Sequence, residues 1–317
     1  MGAYAARRVL QTIPVLFGVS VIVFTMLRLV PGDPAIYVAG PEATPQVLAA
    51  VRHRMGLDQP VPVQYGRWLF QALQGDFGRS FVNGIPVTQL VWQRVPATLE
   101  LAIGGMLFTL LLGFPLGILA AVRRDSIWDH LVAAFSATSL GIPVYWLGIL
   151  MIMLFSLSLG WLPPGGRSEF RDGLAPALTS LFLPTLCLGL AHAPILTRFL
   201  RSSILDVLHE DYVRTARAKG LPDSPILRRH VLTNALIPVV TVLGIVFGRL
   251  LGGVVITEAV FAWPGMGSMI ITAIGNRDYS LVQATILLVV MAFIGINLLV
   301  DLVYGFLDPR LRLGGGD

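Results

Sequence analysis

At 317 residues the chain is 55% hydrophobic and 13% charged, with a mean hydropathy of +0.75. Soluble domains carry about 25% charged residues, so these values exclude an ordinary soluble protein and describe an integral membrane protein. The net charge of +5 is carried mainly by arginines that flank apolar runs, with Lys219 the sole lysine, so it signals membrane topology and not nucleic-acid binding.

A bilayer core about 30 Å thick needs about 20 helical residues. Six stretches supply them: 9–30, 98–122, 131–159, 174–199, 236–260 and 281–307. The first is too long for a signal-peptide core and lacks a small-residue cleavage site, so it reads as an uncleaved anchor. The third contains Gly141-Ile142-Pro143, where a bend is expected. With the N-terminus inside, the inner segments hold thirteen Lys and Arg residues, among them Arg7, Arg8, Arg123, Arg124, Arg310 and Arg312. The short outer loops hold only Arg167, Arg171 and Arg277. That bias places both termini in the cytoplasm. Cys187, the single cysteine, excludes an internal disulfide and falls in an apolar span as inert core.

The long outer segment 31–97 has its own folding signals. Val47, Ala50, Val51 and Met55 have helical spacing, as do Tyr65, Leu69, Ala72 and Leu73. Turn clusters bound them: Pro31-Gly32-Asp33-Pro34, Leu57-Asp58-Gln59-Pro60 and Gly75-Asp76-Phe77-Gly78-Arg79-Ser80. A small helical cap is expected here. It either meets a soluble partner, with Asp33, Asp76 and Arg79 as contact residues, or only steadies the mouth of a channel.

The stretch 203–238 is the long charged passage of the second half. Ser203 is expected to cap a helix with Leu205, Leu208, Tyr212 and Ala216 on one face and Asp206, Glu210, Arg214 and Arg217 on the other. Glu210 and Arg214 stand at the favourable i,i+4 spacing. Gly220 and Pro222 end that helix, and Ser224 is expected to cap a second one that carries Arg228, Arg229 and His230. Two short helices around a glycine turn, apolar on one face and charged on the other, suit docking to a soluble partner.

Those residues carry a resemblance. Asp211-Tyr212-Val213-Arg214-Thr215-Ala216-Arg217-Ala218-Lys219-Gly220, then Arg229-His230-Val231-Leu232, then Asn234-Ala235-Leu236-Ile237-Pro238 resemble the coupling loop of ABC-importer permeases of the dipeptide/oligopeptide family. The general loop motif of such permeases is Glu-Ala-Ala, three residues, Gly, nine residues, Ile-x-Leu-Pro. Ala216, Gly220 and Leu232 match it, while Arg214, Thr215, His230 and Thr233 follow the wording of the peptide branch. The cap clusters and the turn formed by Glu258, Trp263, Pro264, Gly265 and Gly267 resemble the same family, and the likeness runs on through Asp308-Pro309-Arg310.

The resemblance implies an all-α polytopic fold of the type I ABC importer permease class, with six transmembrane helices. The organisation it implies is a tip and first helix (1–30), an extracytoplasmic cap (31–97), a transmembrane domain (98–310) with the coupling loop at 200–235, and a tail (311–317). Implied partners are a second, homologous permease chain forming a heterodimer, two ABC ATPase subunits and an extracytoplasmic solute-binding protein. The family setting is the cytoplasmic membrane of a bacterium or archaeon. Transport is then by alternating access, with Asp211, Tyr212, Arg214, Thr215, Ala216, Arg217, Lys219, Gly220, Arg228, Arg229 and His230 as the coupling surface.

Missing motifs narrow the chemistry. A P-loop needs Gly-x-x-x-x-Gly-Lys-Ser/Thr, and the sole lysine is followed by Gly220, so ATP and Mg are expected on the partner ATPases and no cofactor on this chain. The histidines at 53, 130, 192, 209 and 230 have no metal-ligand spacing. Ionisable groups inside spans are functional candidates, which singles out Arg249, Glu258 and Asp301 for the substrate pathway. Arg249 either binds a substrate carboxylate or forms a structural pair with a carboxylate such as Asp301; the two readings stand level. His192 reads as a packing residue. A polytopic membrane enzyme would need a nucleophile and base at membrane depth, and a passive channel would not need a docking loop. The substrate expected is a di- or oligopeptide; glutathione, nickel or another small solute is the alternative within the class.

Overall fold

The computed structural model describes residues 2–29, 33–40 and 42–307, and within these the side chains of all but 2–9, 37, 297 and 299–307. Pro31 and Gly32, the side chains of Arg7, Arg8 and Asp301, and the tail 308–317 with Arg310 and Arg312 lie outside the described residues. The chain divides into two compact units.

The unit built from residues 6–97 and 264–295 holds the first span and the cap. Helix α1 (Gly2–Leu29) is predominantly apolar in its second half, with Arg28 in its last turn. Helix α2 (Pro34–Ala39), which the sequence reading did not expect, starts where Asp33 accepts from the Ala35 amide at 3.0 Å with Pro34 at the first position. Thr44 and Pro45 begin α3 (Pro45–Arg54) in the same way. Within α3 the half-buried face is Leu48 and Val51, continued by Met55, while Val47 and Ala50 are exposed; the expected face is rotated by about one position. Helix α4 (Val61–Leu73) sets Tyr65 and Trp68 against Phe24 of α1, with ring centroids 5.1 and 5.7 Å away. Ser20 bonds the Tyr65 hydroxyl at 2.8 Å. Helix α5 (Val87–Val122) begins in this unit, where Val87 and Val91 form a core with residues of two later helices, Met266, Ala273 and Val282.

The other unit contains, of the described residues, 2–5, 98–263 and 296–307. Here α5 presents small residues every fourth position, Gly105, Thr109, Gly113 and Gly117. A Cβ on Gly113 would stand 2.8 Å from Leu196 Cδ2, and one on Gly117 3.0 Å from the Thr197 carbonyl oxygen. Close backbone approach is how helices associate in lipid, where apolar surface alone gives no preference for a neighbour. Helices α6 (Ile127–Gly141) and α7 (Val144–Met151, continued by a π-helical turn Ile152–Ser158) meet at Ile142-Pro143 with a bend of 103°. The expected bend is thus a full break, because Pro143 removes a backbone donor and Ile142 is extended.

Helix α8 (Leu174–Leu208) runs nine residues past the expected end of the fourth span, with Pro184 and Pro194 inside it. The chain then forms α9 (Asp211–Ala218), a single turn α10 (Asp223–Pro225) and a π-helical turn (Ile226–Val231) that feeds α11 (Leu232–Val260). Helices α12 (Met266–Gly275) and α13 (Tyr279–Leu307) complete the chain. Among the described residues five helices are long and apolar enough to cross a membrane, six if the bent α6–α7 pair counts as one. Ile103, Leu107 and Leu111 of α5 and Trp146, Ile149 and Met153 of the bent pair are exposed. Such apolar stripes are what lipid covers.

Candidate functional site: the charged elbow between two spans

The elbow is fastened from beneath. Val213 and Ala216 of α9 are buried against Leu200 and Ile204 of α8, Ile226 and Val231 of the π turn, and Ala235 and Val239 of α11. Ser203 does not cap a helix. It sits inside α8, and its hydroxyl donates to the Ala235 carbonyl at 2.8 Å, joining α8 to α11. The helix containing Tyr212 starts instead at Asp211, after a break at His209 and Glu210 whose carbonyl accepts from Val213 and Arg214. The expected face shifts with it: Val213 and Ala216 point inward, while Tyr212 is exposed. Arg214 pairs with Asp211 at 3.3 Å rather than with Glu210.

Gly220 closes α9 at φ +77°, its amide donating to the Arg217 carbonyl at 2.9 Å, and the Leu221 amide reaches back to Ala216 at 3.3 Å. This is the glycine-terminated helix end that leaves few orphan carbonyls. A Cβ at Gly220 would meet nothing within 4 Å, so within this chain the constraint is the backbone angle. Ser224 is exposed inside α10 and caps nothing, because the second short helix merges into α11. Asn234 donates to the Tyr212 hydroxyl at 3.0 Å and to the His230 carbonyl at 2.8 Å, tying α9 to the π turn. Thr215 donates to the Asp211 carbonyl at 2.9 Å, and Arg217 approaches Asp223 at 3.5 Å. Arg214, Arg217, Lys219, Arg228 and Arg229 are exposed and His230 is half-buried. The elbow has a packed apolar inner face and a predominantly basic outer one.

A cavity of about 560 Å³ opens beside it, along α8 and α11. Arg198, Asp206 and Arg249 line it, with Leu140, Phe199 and Pro238. Arg249 is exposed and takes part in no ion pair among the described residues. Asp301, its suggested partner, has a side chain outside the described residues. Glu258 is fully buried and accepts from Thr98 Oγ1 at 2.7 Å. His192 is buried with Nδ1 2.9 Å from the Leu188 carbonyl.

In the cap unit Asp33 combines its helix-capping role with an ion pair to Arg52 at 2.6 Å. Asp76 accepts from the Gly78 amide at 2.9 Å, and Arg79 donates to the Gly84 carbonyl at 2.9 Å. All three serve the fold of their own loop, and Asp76 and Arg79 remain exposed.

Three polar arrangements escaped sequence reasoning. Asp129 and Arg201 form a forked pair, and Arg167 forks onto Glu100 at 2.8 and 2.6 Å. The Glu100 carboxylate beside it holds the Arg167 guanidinium above its ordinary value. Asp278, 1% exposed, caps α13 and accepts from the Ser80 hydroxyl and the Phe81 amide. Each joins residues 67 to 198 positions apart, a separation at which spacing carries no signal.

The fold and the elbow define an all-helical membrane protein of several spans with a charged helix–glycine–helix set between two of them. The chain belongs to the binding-protein-dependent transport system inner membrane components. That family's model matches residues 113–313, and its N-terminal companion matches residues 1–102. It is the permease subunit of an ABC importer. A probable peptide ABC transporter permease of Sinorhizobium fredii is 43% identical over 98% of this chain and 100% of its own. The glutathione transport system permease protein GsiC is 45% identical in Salmonella paratyphi A and 44% in Escherichia coli K12, over 98% of both chains in each case. The MetNI methionine transporter in inward-facing form has the same fold at TM-score 0.57 and 22% identity, covering 69% of this chain and 97% of that one. An amino acid ABC transporter follows at 0.52 and 13%, covering 70% and 94%. As a membrane component of this class the chain works with ATPase and solute-binding partners in the inner membrane.

Proposed function

We propose that the chain imports short peptides, glutathione included, through a heterodimer with a second permease. The observation that carries the substrate class is the α8–α11 cavity, which Arg198, Arg249 and one carboxylate, Asp206, line together with apolar side chains. A zwitterion with an apolar body complements that wall, and about 560 Å³ is within the range of small-molecule sites. Relatives named for peptide and for glutathione transport support the same class. Nickel carries no carboxylate for these arginines.

In this reading both termini are cytoplasmic, and a partner ATPase that uses ATP and Mg grips the outer face of α9 and the turn at Gly220. Because Val213 and Ala216 are packed into the span core, movement of α9 is passed to α8 and α11 as a rigid body. Asp33, Asp76 and Arg79 lie on the cap that meets the solute-binding protein.

The test is reconstitution with a permease partner, two ATPases and the binding protein in liposomes. Peptide or glutathione uptake that requires ATP and falls about tenfold in Arg249→Gln is expected, the loss of one charge-assisted contact. Nickel uptake with no peptide or glutathione transport would overturn the substrate class. A cysteine placed at Lys219 reports topology, since Cys187 is buried; labelling of that cysteine by an impermeant maleimide from outside would overturn the orientation.

A further inference from the structure

The unit containing the cap encloses a second cavity, of about 630 Å³, bounded by the end of α1, helix α4, the loop 77–81 and the first turns of α13. Three polar atoms of residues in its wall are buried with no hydrogen-bond partner among the described residues: Trp68 Nε1, Tyr279 OH and Gln283 Nε2. Tyr279 is 9% exposed and Gln283 5%. The indole and amide nitrogens only donate, and the phenol can donate. An unmet buried donor is destabilising, so packing alone does not favour three in one wall.

Arg28 is the fourth group. Its Nη2 and Nε donate to Gln64 Oε1 at 2.8 and 3.2 Å, its Nη1 donates to the Phe24 carbonyl at 3.2 Å, and its guanidinium lies 3.3 Å over the Phe24 ring. Every one of these partners is neutral. The carboxylates lining the cavity are engaged elsewhere, Asp33 with Arg52 and Asp58 with His53. A half-buried cation with no counter-ion among the described residues, beside three donors unmet there, is a wall made for an oxyanion. Trp68 and Phe77 add apolar surface.

We propose that this cavity binds a small carboxylate-bearing solute, with the carboxylate on Arg28, Tyr279 OH and Gln283 Nε2 and the apolar part on Trp68. This site goes beyond the transport pathway, because it belongs to a different structural unit from the Arg249 cavity.

The test uses the ATPase-bound permease in nanodiscs, without binding protein or ATP, titrated with the tripeptide Ala-Phe-Ala and with its C-terminal amide. Binding is read by calorimetry and by the fluorine resonance of 5-fluorotryptophan at position 68, assigned with Trp68→Phe. The free acid is expected to saturate, to shift the Trp68 signal and to bind about tenfold more tightly than the amide. Tyr279→Phe and Gln283→Met, both near-isosteric, should each narrow that gap, and Arg28→Gln should remove it. Equal affinity of acid and amide, absence of saturation into the millimolar range, or an unmoved Trp68 signal overturns the proposal. A Trp68 signal that follows the anionic phospholipid content and ignores the peptide assigns the cavity to lipid and also overturns it. Uptake is not read, so failure of the transport reading leaves this result intact.

Discussion

Arg201 and Asp129 meet as a forked pair, Nε on Oδ1 and Nη2 on Oδ2, both at 2.7 Å. Asp129 also accepts from the Asp125 amide at 3.0 Å, so it ties the first turn of α6 to the end of α8 just ahead of the elbow. Its side chain is 9% exposed, and that of Arg201 33%. Removing one partner strands a nearly buried charge, at a cost of about 2 kcal/mol once the exposure of Arg201 is discounted. Arg201→Gln should lower the Tm by about 4–8 °C at 2–4 °C per kcal/mol, and adding Asp129→Asn should restore part of it. Cys187, buried and single, supplies the readout through a thiol-reactive dye that reports unfolding. Additive losses in the double variant would show that the pair is not coupled.

Gly220 separates two demands on one position. Its φ of +77° strains most side chains by about 1–2 kcal/mol, whereas Asn and Asp visit that region with local help. With nothing in this chain within 4 Å of where a Cβ would stand, Gly220→Asn and Gly220→Asp should fold and insert normally. Both should nevertheless lose transport-coupled ATP hydrolysis if an ATPase seats closely on this turn. Gly220→Val should lose stability as well. Full coupling in the Asn variant would remove close docking at Gly220 and leave only the backbone requirement.

What the sequence made legible follows from local physics. The long apolar runs, the break at Pro143 and the positive φ at Gly220 are set by a few neighbouring residues, and each is found where hydropathy and turn chemistry put it. Helix starts around the elbow were misread because Ser203 looks like a cap only if the span ends before it. Packing of Leu200, Ile204 and Ile226 carries the helix on to Leu208 and turns that hydroxyl toward Ala235. The forked pairs of Arg201 and Arg167 and the donor-rich wall around Tyr279 join distant segments, so no local pattern announces them.

Asp58 offers a pH test in the cap. The hydrogen bond from His53, at 2.7 Å, holds its carboxyl below the ordinary 3.8, assisted by its own backbone amide and by the charges of His53 and Arg67. A depressed carboxyl contributes to the folded state above its unfolded value, and the contribution is lost as pH falls through the folded one. The connection between α3 and α4 should therefore keep its hydrogen-exchange protection at neutral pH and lose part of it only below about pH 3.8. His53→Gln should move the Asp58 carboxyl carbon titration up toward 3.8. An unchanged titration in that variant would show that His53 does not hold the carboxylate.

Glu258 decides between pathway and packing for an acid near the end of α11. It is fully buried, accepts from Thr98 at 2.7 Å, and its carbonyl takes the Trp263 amide at 2.8 Å where the chain leaves the helix. Thr98→Val removes the hydroxyl at nearly constant volume and leaves the acid short of a donor, so it should cost about 1–3 kcal/mol. Glu258→Gln keeps the shape and should cost less, since its amide oxygen can still accept from Thr98. Neither change should alter the KM for peptide, because no solute reaches a fully buried group without opening the turn. A raised KM at unchanged Tm in Glu258→Gln would place the carboxylate on the solute's route. A lowered Tm with KM unchanged keeps it as the pin that joins α5 to the end of α11.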